Sequence, residues 1–450
     1  MEFMFCSNRM KNVIRISAGT MLGQIIMFIS LPILTRIYGA STIGVSSFLL
    51  ALASLINSVS DGGFTNVLMI EDNEKTSKMV YQTITTISFI ISGIAAIGIT
   101  IYDIFFSLQL YQNSWFIFLY TFILFFTSKQ IMICYTWLNK KGFYEVLMLN
   151  PIINYGSYSM IAFLLGILGY KQYGYYIGYM VGQLITVIHM KRFLPKTSFK
   201  FRFESIEKLY KEHKPFFLFE LPTNLLSQFK NQMPTLLIKG FFGNEILGYY
   251  SLANKLINIP INLLANAMGR VFFQVGAEFR DDIKKIGTFT YRNINKAMNV
   301  AVIPTILLVS LGDVAINLMY GEGYEMAGVI LRIVAVQGFI TFLSLTVQGI
   351  TTLINKQKYA MVWLLLQTVF SVLGFVIGAG IFKNIYTALT LMTIVTCISY
   401  LIYYCIIYEA IGIAWTKFFL RMTITLVILW VASGLLRKLI EPTGIFEIKL

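Results

Sequence analysis

The sequence is poor in charge. Asp, Glu, Lys and Arg make up 13% of its 450 residues, about half the share of a soluble domain. A soluble globule of this length is excluded on that ground. The apolar share of 57% excludes disorder, and the composition has no collagen period. Cysteine occurs four times, as Cys6, Cys134, Cys397 and Cys405, and never as a CxxC pair. Three of the four lie in or beside apolar runs, where the thiol acts as a small hydrophobe. Neither a disulfide framework nor a metal site follows from such spacing. Histidine occurs twice, as His189 and His213, at the two ends of one basic segment. The chain has no GxxxxGK[ST] phosphate loop, no HExxH and no GxSxG, so neither an ATPase engine nor the common hydrolase sites are present. The Gly321-x-Gly323 pair reads as a turn. No cofactor, catalytic group or metal is implied.

What the chain has in quantity is apolar sequence. Runs of about 20 apolar residues recur along its whole length, each long enough to cross a bilayer as a helix. The runs are continuous rather than alternating, which excludes a β-barrel. Spans are expected near 13–35, 43–63, 80–102, 115–138, 147–167, 173–189, 215–239, 246–273, 297–319, 327–352, 359–381 and 385–408, with a thirteenth candidate at 418–436. The first run exceeds the ~7–15 residues of a signal-peptide core, so it reads as a retained span. The expected class is an all-α integral membrane protein. It has twelve core helices in two six-helix halves, 1–190 and 215–408, joined by a basic segment at 191–214. An extra helix and tail cover 409–450.

Thirty-six basic residues against 21 acidic ones leave a net charge of +15. In a soluble protein this excess would hint at nucleic acid. Here the basic residues lie between apolar runs, so the membrane reading stands and no nucleic acid is implied. With the N-terminus in the cytoplasm, twenty-three lysines and arginines fall on the inner side of the first twelve spans and four on the outer side. Arg437, Lys438 and Lys449 would lie outside if the thirteenth segment crosses, which suggests an interfacial position for it instead. Outer loops are short and inner loops hold nothing larger than about 25 residues, so the function is expected inside the membrane.

Two echoes relate the halves. Tyr38-Gly39-x-x-x-Ile43-Gly44-x-x-Ser47 matches Phe242-Gly243-x-x-x-Leu247-Gly248-x-x-Ser251, each just after a proline, Pro32 or Pro234. Leu138-Asn139-Lys140 matches Ile354-Asn355-Lys356. Six spans is an even number, so both halves enter from one side and form parallel repeats about an axis along the membrane normal.

Polar residues inside spans mark the candidate site. A charge at the bilayer centre costs at least ~2.5–3.5 kcal/mol, so it should face a cavity or a partner. Lys129, Lys230 and Lys255 lie deep, whereas Arg270, Arg332 and Arg421 lie near span ends, where they are expected to snorkel. Span 7 carries Glu220, Asn224, Ser227, Gln228 and Asn231 within an arc of about 100°, with Lys230 on its flank. Span 8 carries Asn254, Lys255, Asn258, Asn262 and Asn266 within about 120°. Pro222 and Pro234 should interrupt span 7, and Pro260 span 8, breaks tolerated where a helix lines a cavity. Asn and Ser side chains also serve as glue between membrane helices. The pair of stripes with two lysines favours a hydrophilic pathway, and its cations suit an anionic group such as phosphate. Polar residues of the first half are sparser: Gln24, Asn57 and Asp61. Asp61 and Glu220 are candidates for ion or proton coupling, or for pairing with inner lysines. The tyrosines at 170–176 and 403–408 fit interfacial belts.

The opening Pro32-Ile33-Leu34-Thr35-Arg36-Ile37-Tyr38-Gly39, the Asp61-Gly62-Gly63-Phe64 at the end of span 2, and Met319-Tyr320-Gly321-x-x-Tyr324-x-x-Ala327-x-x-x-Leu331-Arg332 before span 10 resemble the multidrug/oligosaccharidyl-lipid/polysaccharide exporter superfamily. Within it, the chain is most similar to the O-antigen and capsular repeat-unit flippases (Wzx type), over residues 10–408. It departs from them at Phe273-Gln274, where the family often has proline, and in its thirteenth segment. The resemblance implies transfer of an undecaprenyl-diphosphate-linked oligosaccharide from the inner to the outer leaflet of the cell inner membrane by alternating access. It also implies an ion gradient as the drive, and a polysaccharide polymerase and chain-length regulator as partners. On that reading Lys230, Lys255 and Arg270 hold the diphosphate, the Asn/Gln stripes solvate sugar hydroxyls, and the lipid tail stays in the bilayer. A cation-coupled drug or metabolite exporter of the same superfamily is the alternative, and would want carboxylates in its cavity. A membrane enzyme would need a sizeable outer loop.

Overall fold

The computed structural model describes residues 2–106, 113–195, 203–214, 216–279 and 282–440. Lys196, Lys200, Arg202, Arg280 and Lys449 lie outside these, as do the side chains of Cys6, Arg9, Lys11, Lys208 and Asn262. The described chain is helical almost throughout. Long helices are the outcome physical chemistry dictates here, because only a helix satisfies every backbone N–H and C=O within a single apolar segment. Serine and threonine hydroxyls are absorbed the same way. Thr35, Thr121 and Ser251 each donate to the carbonyl four residues earlier at 2.7 Å.

The helices are α1 (Glu2–Val59), α2 (Val67–Ile70), α3 (Glu74–Phe106), α4 (Ser114–Lys141), α5 (Tyr144–Ile167), α6 (Gly174–Lys191), α7 (Phe203–Glu212), α8 (Leu221–Glu278), α9 (Ile283–Tyr320), α10 (Glu325–Thr346), α11 (Ile350–Leu353), α12 (Gln357–Gly380), α13 (Ile385–Ala410) and α14 (Trp415–Ile440). Among the described residues nine helices are long and apolar enough to cross a membrane. Two of these, α1 and α8, are 58 residues long and each contains one break, at Gly39 (φ 79°, ψ 167°) and Gly243 (φ 84°, ψ −169°). These are the two glycines of the first sequence echo. The prolines behave otherwise than expected. Pro222, Pro234 and Pro260 all lie within the helical run of α8, and its non-helical backbone is at Gly243. Pro222 follows a single π-helical turn, Phe216–Glu220, where the regular i→i−4 bonding is already interrupted. The second echo occupies equivalent turns with different backbones: Asn139 is helical, whereas Asn355 has φ 55°.

The chain forms two compact units, Met1–Leu236 and Leu237–Leu450. In the first, helices approach through small residues, the usual means of packing where lipid removes the hydrophobic drive between helices. A Cβ on Gly178 would lie 2.7 Å from the Ala162 nitrogen, and one on Gly19 would meet the Met148 carbonyl. Tyr38 donates to the Ala162 carbonyl at 2.6 Å and Tyr176 to that of Thr42 at 3.2 Å. Tyr175 and Tyr176 are therefore core residues, 2% and 1% exposed, rather than members of a belt. Tyr404 and Tyr408 are buried likewise, while Tyr170 is exposed. At the opposite end of this unit, Lys140 donates to the Glu71 carbonyl and to Ser77. The basic residues Lys75, Lys78, Lys140 and Lys141 thus gather at one end.

In the second unit, α9 and α10 approach at Gly328, where a Cβ would meet the Asp313 backbone at 2.5 Å. Helix α14 runs along α9. Arg421 donates to Asn299 Oδ1 at 2.9 Å and Arg437 pairs with Asp313 at 3.0 Å. Sixteen residues of α14 thus match fourteen of α9, and the two run parallel. Arg437 is compensated by a carboxylate, so its charge gives no reason to place α14 in the interface. Arg332 donates to the Val309 carbonyl at 2.9 Å and also faces Asp313, whereas Arg421 is exposed.

Candidate functional site

The first unit holds a polar cleft of about 530 Å³. Its construction begins at the end of α1. Ser54, Asn57, Ser58 and Asp61 recur at helical spacing and so share one face. The helix stops at Val59, and the chain turns through Gly62 (φ 66°) and Gly63 (φ 82°), conformations that glycine adopts without strain. The turn folds back onto the Asp61 carboxylate, which accepts the N–H of Gly63 at 3.2 Å and of Thr65 at 2.8 Å.

Lys129 of α4 enters the cleft from the side. Its ammonium lies 2.9 Å from Asp61 Oδ1 and 2.9 Å from the Asn57 carbonyl oxygen. Both residues are 3% exposed. Mutual neutralisation is what makes the burial of either charge tolerable. The remaining wall comes from the start of α8 and the turn before it. Glu220 accepts from the Asn66 side-chain amide. Asn224, Ser227 and Gln228 follow on the same helical face and line the cleft.

Of the sequence-derived candidates, the cleft brings together Asp61, Glu220, Asn224 and Gln228. It adds Lys129, which stands out in the sequence as a deep lysine but not as a site residue. Lys230 and Asn231 continue the same stretch of α8 without lining the cleft, and Asn231 is exposed. In the second unit, Asn258 donates to Asn254 Oδ1 at 2.9 Å, one turn apart on α8. Lys255 lies between them, half-buried, with Leu252, Ala253, Leu256 and Ile257 buried on the opposite face. Arg270 is exposed near the end of α8. Among the described residues no three His, Cys, Asp or Glu side chains converge as a metal site.

The fold defines a class. It is similar to that of the lipid II flippase MurJ in its inward closed conformation, with a TM-score of 0.70 at 14% identity, over 94% of this chain and 92% of that one. It is also similar to an inward-facing multidrug resistance MATE family transporter of the MOP superfamily, with a TM-score of 0.61 at 14% identity, over 89% and 98%. The chain is a multi-pass membrane protein with the fold of these transporters. The family model for polysaccharide biosynthesis proteins matches residues 33–329, and the chain belongs to that family. Two relatives are 25% identical over 198 residues (teichuronic acid biosynthesis protein TuaB of Bacillus subtilis) and 24% identical over 123 residues (amylovoran biosynthesis protein AmsL of Erwinia amylovora). The matches take in 43% and 27% of this chain, and 39% and 32% of those proteins. The chain therefore spans well under half the length of the curated relatives it matches.

Proposed function

We propose that the protein flips an undecaprenyl-diphosphate-linked oligosaccharide repeat unit, an O-antigen or capsule precursor, from the cytoplasmic to the outer leaflet of the inner membrane by alternating access. The observation that carries this reading is a polar, charged cleft lined by residues of the candidate membrane helices α1, α4 and α8 of a polysaccharide biosynthesis family member. A glycan head cannot cross hydrocarbon unaided, and such a cleft offers it amides, hydroxyls and charge in place of water.

The proposed architecture is twelve core spans, with the two arms of α1 and of α8 crossing separately and the N-terminus in the cytoplasm. The halves are 1–190 and 215–408, joined by 191–214, and 409–450 adds the extra helix. Lys230 and Arg270 serve the diphosphate together with Lys255, for which an ammonium is a suitable point charge. Asn224, Gln228, Asn231, Asn254, Asn258 and Asn262 serve the sugars. Asp61 and Glu220 serve ion coupling, and a polymerase and chain-length regulator act downstream. Cation export is the second reading, favoured by the two carboxylates of the cleft, Asp61 and Glu220. Asp61 already has its cation in Lys129, which weighs against it.

The test uses a strain lacking this gene. Unpolymerised repeat unit should accumulate in the inner leaflet, with loss of surface polymer. Complementation with Lys230→Ala or Lys255→Ala should leave membrane abundance intact and fail to restore the polymer. Repeat units that reach the outer leaflet in the deletion strain would defeat the proposal.

A further inference from the structure

A second depression, of about 540 Å³, lies beside the cleft and is nearly all apolar. Val59 of α1, Ile87, Ile90 and Ile91 of α3, and Ile206 of α7 line it. Phe217 closes one side, stacked on Phe64 at 6.5 Å and set edge-on to Tyr210 at 5.3 Å. Its one charged member, Glu207, pairs outward with Lys211 on the same helix. Ile90 and Phe217 each retain 40% of their surface, so the depression is an open groove and not a core void.

The same two segments wall both spaces. Ser58, Asp61, Gly63 and Thr65 face the cleft, whereas Val59, Gly62 and Phe64 face the groove. On the other segment, Glu220 and Asn224 face the cleft, whereas Phe217 and Leu221 face the groove. A polar and an apolar receptacle therefore share one thin wall. This is the arrangement an amphiphile requires when its head and tail part at the membrane interface.

We propose that the groove seats the isoprenoid chain of the lipid-linked substrate while the cleft takes the sugars of its head. The inference rests on the flippase reading given above and adds a tail site to it. Bulk lipid is as apolar as the groove, so the hydrophobic effect gives the tail no reason to leave the bilayer. The gain must come from shape. Five of the lining residues are valine or isoleucine, whose branched β-carbons hold their rotamers and keep the groove from collapsing. Such a stiff, knobbed surface fits a methyl-branched polyprenyl chain better than a straight acyl chain. The volume lies within the range of small-molecule pockets and takes a stretch of the chain next to the diphosphate, not its whole length.

The protein is reconstituted in phospholipid vesicles, and transport of one oligosaccharide diphosphate is followed on an undecaprenyl and on a straight hexadecyl chain. Ile90→Trp and, separately, Ile91→Phe fill the groove. Each should slow the undecaprenyl substrate roughly tenfold, the size of effect expected from overpacking. Transport of the hexadecyl substrate, whose unbranched chain gains little from the shape of the groove, should stay near wild type, which also reports that the variant is folded. Photoreactive undecaprenyl phosphate should label α3 and α7 in the wild type and not in the variants. An equal loss of both substrates, or no loss of either, would overturn the tail site. So would equal labelling by a photoreactive phosphatidylethanolamine. A wild-type protein that moves neither substrate would remove the flippase reading, and the tail site with it.

Discussion

Asp61 and Lys129 are buried together, and the two are supported unequally. Without Lys129, the Asp61 carboxylate still accepts the Gly63 and Thr65 N–H groups. Without Asp61, the Lys129 ammonium keeps one carbonyl, that of Asn57. Breaking a buried pair on one side typically costs ~3–5 kcal/mol, whereas replacing both members with apolar groups is often near neutral. Lys129→Met should therefore destabilise the protein less than Asp61→Leu does, and the double variant should be more stable than Asp61→Leu alone. Thermal unfolding of the detergent-solubilised protein reads this order. If the pair also serves the cleft, the double variant regains abundance in the membrane and still fails in transport. Equal destabilisation that simply adds in the double variant would show that the two charges act independently. The pairing was not legible in the sequence. Both residues stood out as polar groups inside apolar runs, but 68 positions separate them, and no local period joins α1 to α4. Glu220, Asn224 and Gln228 were legible because helical spacing alone puts them on one face. The buried tyrosines misled for a related reason: an amphipathic ring suits a belt or a core, and only the carbonyl that receives the hydroxyl decides between them.

At the scale of the element, the breaks in α1 and α8 repay comparison. Gly39 and Gly243 adopt positive φ with extended ψ, a region reached essentially only by glycine. No heavy atom of another packed segment lies within 4 Å of a Cβ added at either position. Gly39→Ala and Gly243→Ala should therefore act through backbone strain alone, costing ~1–3 kcal/mol each. Gly178→Ala differs, because its Cβ would strike the Ala162 backbone and force α5 and α6 apart. Thermal midpoints of the three variants distinguish the cases: the first two should fall modestly and by similar amounts, and the third further. An unchanged midpoint in Gly39→Ala would mean that the break relaxes into continuous helix. The repeated Gly motif was visible in the sequence, but its meaning as a helix break was not. Proline drew that expectation instead. Pro234 and Pro260 stay inside a continuous helix, because a membrane helix can re-satisfy the freed carbonyl from neighbouring groups.

For the molecule as a whole, the distribution of basic residues makes a prediction about direction. Lys75, Lys78, Lys140 and Lys141 gather at one end of the first unit, and Lys140 is fixed there by the Glu71 carbonyl and Ser77. Lys171 lies in the α5–α6 turn, and the neighbouring Gly174 packs against the Tyr38 hydroxyl at the other end. Lysine and arginine are retained on the cytoplasmic side during insertion, so the first end should face the cytoplasm. A chain with Cys6, Cys134, Cys397 and Cys405 replaced provides the test, because Lys75 and Lys171 are both exposed and tolerate a new thiol. In intact cells a membrane-impermeant maleimide should label Lys171→Cys and leave Lys75→Cys untouched until the membrane is opened. The reverse pattern would place the α1–α3 turn, and the cleft beside it, on the outer face. The proposed flippase would then present Asp61, Lys129 and Glu220 to the leaflet where the repeat unit is delivered, and those residues would belong to release rather than to capture.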